Sequence, residues 1–191
     1  MKNPEIHRQE LLNQNLFLLE LLLNLFFYLK KKYKGIISII IPRHVHRSHE
    51  IKDELNSLGL KVHLHTSNKP ISFDTDIYLV DTFGETKSFL RLSKIAFMGK
   101  SIFAYGGQNP LEAARLGNRI IHGPNIENFI EVYDFLKKQG ISSKIKSYKD
   151  LESLVKKFDR KKNYSQQIIK KLTYTGNQIL LNNEKEINKY L

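Results

Sequence analysis

Short apolar runs that alternate with amphipathic stretches are the feature that most constrains the fold of this chain. Residues 36–41 form an isoleucine run broken only by Ser38 and followed by Pro42, and such a run is typical of a strand covered on both faces of a parallel sheet. Strands that alternate with helices predict an α/β fold with a Rossmann-like, mostly parallel sheet and right-handed crossovers. Further strands are predicted at residues 61–65, 77–80, 95–98, 120–121 and 144–146, with helices between them at 48–58, 86–92, 110–117 and 126–139.

Helical segments flank this α/β region. The apolar segment at residues 16–29 is interrupted by Glu20 and Asn24 and is shorter than the roughly 20 residues needed to cross a bilayer. We interpret it first as a core helix. The alternatives are a helix that packs against a missing partner domain and a helix that lies at a membrane surface. Helices are also expected at residues 150–158 and 166–191, and no signal peptide is apparent. The predicted division is an N-terminal apolar helix with a basic connector (1–35), a central domain (36–160) and a C-terminal helix (161–191).

The composition narrows the choice of partners. The 191 residues carry a net charge of +12 and contain no cysteine, which excludes disulfides and cysteine-ligated metals. The positive charge is compatible with nucleic acid, an anionic membrane surface or a phosphorylated ligand. It is equally compatible with a lysine-rich composition whose charges lie on solvated helix faces. The lysines are dispersed and lack an aromatic-interleaved strand motif, so nucleic acid is not expected as a partner.

The histidines do not form a recognisable metal-binding motif, and the sequence motifs of several common enzyme classes are absent. His44, His46 and His49 cluster in sequence, and His63 and His65 share one face of a predicted strand. No ligand-spacing motif completes a set, so we expect no metal site. The chain has no Walker lysine motif, no G-x-S-x-G elbow and no early G-x-G-x-x-G, which argues against an NTPase, an α/β-hydrolase and a dehydrogenase.

Polar and glycine-rich segments follow four of the predicted strands. Ligands of open parallel sheets bind beyond the carboxyl ends of the strands. The sequence therefore predicts a binding site where these segments converge on a single rim. The segments are residues 42–44, residues 81–85, residues 99–101 leading into 106–112, and residues 123–125.

The segment at residues 106–112 has the features of an anion-binding helix start. Asn109 is a favourable N-cap, Pro110 suits the first helical position, and Glu112 stands where a capping box places it. Gly106 and Gly107 would let a ligand approach the backbone closely, and free N–H groups at a helix N-terminus attract phosphate. A well-capped helix without a ligand explains the same residues.

Two charged side chains at other strand ends suit a nucleotide. Arg43 follows the isoleucine run after Pro42, and a guanidinium there can bind a phosphate with two hydrogen bonds. A surface salt bridge is the alternative for this arginine. Glu85 follows Gly84 at another strand end and could accept ribose hydroxyls, or could act as a first-turn residue favoured by the helix dipole.

Together these segments resemble the carboxy-terminal half of bacterial 3-deoxy-D-manno-octulosonic acid (Kdo) transferases. The order and intervals of the motifs match from about residue 36 to residue 158. Departures from the family pattern are Phe83 for a usual Met, Lys100 for a usual Gly, and Ala113 where a Pro is often found. The matching motifs are Pro42-Arg43-His44 with Arg47, Val80-Asp81-Thr82-Phe83-Gly84-Glu85, Phe97-Met98-Gly99-Lys100-Ser101, Gly106-Gly107-Gln108-Asn109-Pro110-Leu111-Glu112-Ala113-Ala114, Gly123-Pro124 and Asn128-Phe129.

The resemblance implies one lobe, the donor lobe, of a two-lobed glycosyltransferase of the GT-B type. The implied donor is CMP-Kdo, the implied acceptor is a lipid A precursor, and the implied location is the cytoplasmic face of the inner membrane. The transfer would be inverting and would need no metal ion or other cofactor. By resemblance, Arg43 and the amides around Gly107 and Gln108 would hold the donor phosphate. The ribose and the polar groups of Kdo or cytidine would be held by Glu85, Asn109 and Glu112. The full predicted donor-binding set is Arg43, His44, Gly84, Glu85, Gly106, Gly107, Gln108, Asn109 and Glu112.

The amino-terminal lobe of the family is not recognisable in this chain. That lobe carries the membrane anchor, the acceptor site and a glutamate base, so we predict no catalytic residue here and expect the chain alone to lack the general base. A separate chain could supply the missing lobe. The alternatives are a truncated, inactive nucleotide-binding remnant and the donor lobe of another nucleotide-sugar enzyme.

Overall fold

The computed structural model describes residues 26–27, 30–31, 36–103, 105–147, 149–150, 153–154 and 164–190. The described residues divide into two compact units, one that ends at Phe89 and one that begins at Leu90. This boundary lies inside the central domain expected at residues 36–160, and the division into three functional parts stays a prediction. The helices predicted at residues 16–29 and 150–158 lie largely outside the described residues.

The first unit contains a three-stranded parallel sheet with its strands in the order β1-β3-β2. Its register pairs Ser38 with Ile77 and Val62 with Ile77. Ile77 and Leu79 of the central strand are buried, whereas the edge strand β1 is only half-buried over its length, which differs from the full cover expected for the isoleucine run. The elements are β1 (Ser38–Ile40), a 3-10 turn (Val45–Arg47), α1 (Ser48–Ser57), β2 (Val62–Leu64), β3 (Ile77–Leu79) and α2 (Thr86–Leu92).

A buried carboxylate ties the amino ends of these strands together. Asp76 is 3% exposed, and its Oδ2 accepts a hydrogen bond of 2.8 Å from the Lys61 amide. Its Oδ1 pairs with the Lys30 ammonium group. The Asp76 carbonyl accepts from the Ser38 amide at 3.0 Å. These bonds hold the amino ends of the three strands in one register. That register determines which residues lie side by side beyond the carboxyl ends of the strands.

The second unit contains another three-stranded parallel sheet, in the order β4-β5-β6. Its core joins Ile120 of the central strand to Leu136, Ile141 and Ile168 from the surrounding elements. Burial of large aliphatic side chains of this kind contributes about 1.5 to 3 kcal/mol each. The elements are β4 (Ile95–Met98), α3 (Lys100–Phe103), α4 (Leu111–Arg115), β5 (Arg119–His122), a 3-10 turn (Glu127–Phe129), α5 (Ile130–Lys138), β6 (Ser142–Lys144) and α6 (Tyr164–Ile187).

Most predicted elements are present, and the deviations have local causes. The helix predicted at residues 126–139 is divided, because Phe129 adopts φ −138° and ψ 23° between the 3-10 turn and α5. Strand β6 lies two residues earlier than predicted, between the buried residues Ile141 and Ile145. The short helix α3 was not predicted. The strand pairs of the described residues are all parallel, as the alternation of strands and helices predicts.

The C-terminal helix α6 has two different halves. Ile168 is 2% exposed and belongs to the core of the second unit. Every residue from Gly176 to Tyr190 is exposed. Within the described part of the chain, no helix is both long enough and apolar enough to cross a membrane.

Candidate functional site

Glu85 is held at the carboxyl edge of the first sheet. The turn after β3 passes through Gly84, whose φ of +87° lies in the left-handed region that favours glycine. The Thr82 hydroxyl donates to Oε2 of Glu85, and Nε2 of His65 lies 3.0 Å from the same oxygen. The pKa of Glu85 is below its usual value because Thr82 donates to the carboxylate; desolvation opposes this shift and His65 adds to it. Glu85 is therefore an ionised acceptor at neutral pH.

A second carboxylate joins the segments that follow β2 and β3. Asp81 accepts hydrogen bonds from Thr66, at 3.0 Å from the amide and 2.5 Å from the hydroxyl. Partial burial acts to raise the pKa of Asp81, but the hydrogen bonds from Thr66 outweigh it and the net shift is downward. His65, next to Thr66, uses Nδ1 to contact the Tyr78 hydroxyl at 2.8 Å. The two strand ends thus form one polar network.

Arg43 and His44 lie at the end of β1, beside the same sheet edge. Both side chains are exposed, and the His44 ring stands 5.6 Å from the His46 ring. Arg47 pairs with Glu50, with Nε to Oε2 at 3.0 Å and Nη2 to Oε1 at 3.2 Å. Arg43 has no ion-pair partner among the described residues, so its guanidinium has the hydrogen-bonding capacity that a phosphate requires.

The two predicted glycines of the second unit are required by packing within the chain. Gly106 and Gly107 have φ of +91° and +64°. A Cβ on Gly106 would stand 2.6 Å from Nδ2 of Asn128, and a Cβ on Gly107 would stand 2.8 Å from the carbonyl oxygen of Asn125. The Gly106 amide donates to Oε2 of Glu127 at 2.8 Å. Glycine here therefore allows the segment around Asn125 to approach closely.

The amides of Gly107 and Gln108 differ from that of Gly106, because neither donates to any residue that the structure describes. The Gln108 carbonyl accepts a 2.9 Å hydrogen bond from the Tyr133 hydroxyl. Burial raises the pKa of Tyr133, so this phenol stays protonated and remains a donor. Since C=O and N–H point in opposite directions across a trans peptide, this bond also fixes the direction of the Asn109 amide.

The N-cap predicted at Asn109 lies one residue too early, because the helix begins at Leu111 with Pro110 at the cap position and no side-chain cap hydrogen bond. Asn109 bonds to the backbone just after it instead. Its Oδ1 accepts a 3.0 Å hydrogen bond from the Leu111 amide, two residues on. Glu112 lies in the first turn of α4, which spans only Leu111–Arg115. Because so short a helix sums few peptide dipoles, the amides before it matter more for an anion than the helix dipole does.

Residues that the sequence did not identify as structural fix the neighbouring loops. The Ser101 hydroxyl donates to the Met98 carbonyl at 2.5 Å and accepts from the Gly123 amide at 2.7 Å. Asn125 donates from its backbone to the Ser101 carbonyl at 2.9 Å and from Nδ2 to the Ile102 carbonyl at 3.0 Å. A small polar residue two positions after a strand-ending glycine was the available signal. The loops after β4 and β5 are consequently joined.

The structure places the nine predicted site residues in two groups, one in each unit. Arg43, His44, Gly84 and Glu85 follow the adjacent strands β1 and β3 at one edge of the first sheet. Gly106, Gly107, Gln108, Asn109 and Glu112 lie on one continuous segment of the second unit. Across the described ranges, no cluster of three or more His, Cys, Asp and Glu side chains could hold a metal ion.

Comparison with known proteins connects this chain to one kind of enzyme. It is 30% identical over 174 residues to a 3-deoxy-D-manno-octulosonic acid transferase of Rickettsia conorii, covering 90% of this chain and 36% of that protein. It is 34% identical over 132 residues to the transferase of Rickettsia felis, covering 69% of this chain and 28% of that protein. The chain thus spans about a third of the length of these relatives. No family model matches the sequence.

A solved structure carries the same fold. The C-terminal CMP-Kdo binding domain of WaaA from Acinetobacter baumannii superposes with a TM-score of 0.66 and 23% identity, covering 78% of this chain and 77% of that domain. The predicted fold class, a mostly parallel α/β lobe of the GT-B type, is confirmed. The resemblance to Kdo transferases predicted from the motifs is likewise confirmed by the sequence relatives.

Proposed function

We propose that this chain is the donor-binding part of a Kdo transferase, which binds CMP-Kdo for transfer of Kdo to a lipid A precursor. The observation that carries the proposal is the similarity over 90% of the chain to a Kdo transferase. The fold of a CMP-Kdo binding domain supports it. The location that follows is the cytoplasmic face of the inner membrane, as part of lipopolysaccharide biosynthesis.

The phosphate of the donor is assigned to Arg43 and to the amides of Gly107 and Gln108. Arg43 has no carboxylate partner in the described part of the chain, and neither amide donates to a described residue. Negative charge grows on the CMP phosphate as it leaves, and preorganised N–H donors and a guanidinium stabilise that charge. The Gly106 amide already donates to Glu127, so Gly106 contributes through its backbone conformation.

The hydroxyl groups of the donor are assigned to acidic and amide side chains. Glu85 is a half-exposed, ionised acceptor, and a carboxylate in that state suits ribose hydroxyls. The side-chain Oδ1 of Asn109 accepts from the Leu111 amide. The side-chain nitrogen Nδ2 is therefore the donor for a ligand oxygen. His44, Gly84 and Glu112 complete the proposed set.

No catalytic role is assigned to the residues of this sequence. It spans about a third of its relatives' length. A general base has to deprotonate the acceptor hydroxyl, and we propose that an amino-terminal lobe supplies it. No metal ion or other cofactor is required by the proposal.

Calorimetric titration of the chain with CMP tests the proposal. We expect binding, with UMP and GMP competing weakly. Arg43→Ala should weaken CMP binding about tenfold or more, since a charge-assisted hydrogen bond contributes about 1.5 to 3 kcal/mol. Arg47→Ala is the matched control, because Arg47 lies four residues away and already pairs with Glu50.

The possible results are separable. The absence of CMP binding by the intact chain would contradict the proposal, and equal loss in both arginine variants would remove Arg43 from the site. CMP binding without Kdo transfer after addition of an amino-terminal lobe would indicate an inactive remnant. Tighter binding of UMP or GMP than of CMP would indicate another nucleotide-sugar enzyme.

A further inference from the structure

His65 occupies a fixed position between two polar groups at the edge of the first sheet. Its Nε2 lies 3.0 Å from Oε2 of Glu85, and its Nδ1 lies 2.8 Å from the Tyr78 hydroxyl. The Phe89 ring meets the imidazole edge-on, with centroids 5.3 Å apart and planes at 86°. Both ring nitrogens and the ring itself are therefore engaged, which leaves the imidazole one orientation.

The hydrogen-bond chemistry keeps His65 on Glu85 in either protonation state. An ionised carboxylate only accepts, so Nε2 must carry the hydrogen that points to Glu85. On the other side, the Tyr78 hydroxyl can donate to a neutral imidazole or accept from a charged one, because a hydroxyl group does both. The contact with Glu85 is thus maintained whichever state Nδ1 adopts.

All described contacts to the Glu85 carboxylate involve one of its two oxygens. Thr82 and His65 both bind Oε2, and in the described ranges nothing binds Oε1. A carboxylate offers about four acceptor sites, so Oε1 keeps the capacity for the hydrogens of a vicinal diol. A carboxylate fixed through one oxygen loses less side-chain entropy when the other oxygen binds a ligand.

From this geometry we propose that His65 is a positioning residue for nucleotide binding: it holds Glu85 so that Oε1 accepts hydrogen bonds from the ribose hydroxyls. This inference rests on the proposed function, which assigns the ribose hydroxyls of the donor to the Glu85 carboxylate. Thr82 assists by donating its hydroxyl hydrogen to the same oxygen, and Tyr78 contacts the other nitrogen of the imidazole.

The test compares two ligands that differ only in the hydroxyls concerned, CMP and 2′,3′-dideoxy-CMP. We expect the wild-type chain to prefer CMP about tenfold. His65→Phe keeps a ring against Tyr78 and Phe89 but removes the hydrogen bonds, and should abolish this preference by weakening CMP alone. His65→Gln keeps an N–H donor near the position of Nε2 and should retain most of the preference.

A neighbouring histidine provides the matched control. His63 stacks on Tyr78, with ring centroids 5.4 Å apart, and makes no contact with Glu85 in the described structure. His63→Phe should therefore leave the preference for CMP unchanged. Glu85→Gln should reduce the preference as His65→Phe does, and the double variant should show no further loss.

Each contrary result has one meaning. If His65→Phe weakens both ligands equally, or leaves the preference intact, the positioning role is wrong while CMP binding by the wild-type chain still stands. If the wild-type chain binds both ligands equally, the ribose contact of Glu85 is wrong. If the wild-type chain binds neither, the proposed function fails first. If His65→Phe does not fold, His65→Gln decides, and loss of preference there contradicts the proposal.

Discussion

The two regions proposed to bind the donor are constructed differently. At the edge of the first sheet, the polar groups are side chains such as His65 and Glu85, whose Nε2 and Oε2 atoms lie 3.0 Å apart. In the second unit, the groups are backbone amides beside Gly107, where the chain packs closely against Asn125. A side-chain network can be altered one hydrogen bond at a time, whereas close-packed backbone tolerates no added atom. We therefore expect changes in the glycine segment to act first on stability, and changes at the sheet edge to act first on ligand preference.

The largest expected effect comes from Gly107→Ala. An alanine would have to adopt a left-handed backbone conformation, at about 1 to 2 kcal/mol, and place its Cβ 2.8 Å from the Asn125 carbonyl oxygen. Overpacking against backbone adds about 1 to 3 kcal/mol. The free energy of unfolding in urea should therefore fall by about 2 to 5 kcal/mol.

Gly140→Ala separates the two causes. Gly140 also has a positive φ, but no atom lies within 4 Å of a Cβ built on it. Its loss should be limited to the conformational cost of about 1 to 2 kcal/mol. Equal losses at the two glycines would show that close packing at Gly107 contributes nothing.

A smaller effect is expected from Tyr133→Phe, which keeps the ring and removes one hydroxyl. The Gln108 carbonyl then loses its donor, and the loss of a part-buried hydrogen bond costs about 0.5 to 1.5 kcal/mol. Binding of CMP should weaken together with stability, because the Gln108 backbone, whose amide is assigned to the phosphate, loses its anchor. Thermal melting and calorimetry on the same variant measure both. A stability loss with unchanged CMP affinity would show that the segment does not need this anchor to bind.

The smallest effect is a pH dependence at Asp81. Its folded-state pKa is lowered below the ordinary value of 3.8 by the hydrogen bonds from Thr66. A lowered pKa contributes stability that is present above the unfolded value and is lost as pH falls through the folded value. Asp81→Asn should therefore flatten the loss of stability below about pH 4.

Urea midpoints at two pH values, near 6 and near 3, measure this effect. Asp53→Asn, which removes an exposed carboxylate on α1, serves as the control for the loss of one negative charge. If Asp81→Asn loses stability on acidification as steeply as the wild-type chain does, the Thr66 contacts do not carry the dependence.

Helices and strands that are bounded by glycine or other pattern-breaking residues were predictable from the sequence. The helix at Thr86–Leu92 and the strand at Ile95–Met98 were predicted with the bounds that the structure has. Each lies between residues that interrupt its pattern, with Gly84 before the helix and Gly99 after the strand. The position of β6 was missed because its hydrophobic anchors, Ile141 and Ile145, flank the strand instead of forming it.

The polar network of the first unit could not be predicted, since it depends on register. Leu64 pairs with Leu79, and continuing this register brings Thr66 opposite Asp81. A sequence shows which residues follow a strand but does not fix how two parallel strands align. The glycines show a related limit: the sequence displays Gly106 and Gly107, but only the structure shows that Asn125 and Asn128 occupy the space that side chains would take.

The unequal halves of α6 have a mechanical consequence. From Gly176 to Ile187 the helix continues for about 18 Å at 1.5 Å per residue with all its residues exposed. The core described for the second unit includes none of these residues, whereas the half around Ile168 packs into that core. The exposed half can therefore unwind turn by turn from its end without exposing core residues. Cooperative unfolding of the second unit begins only at Leu172 and Ile168, which pack in its core.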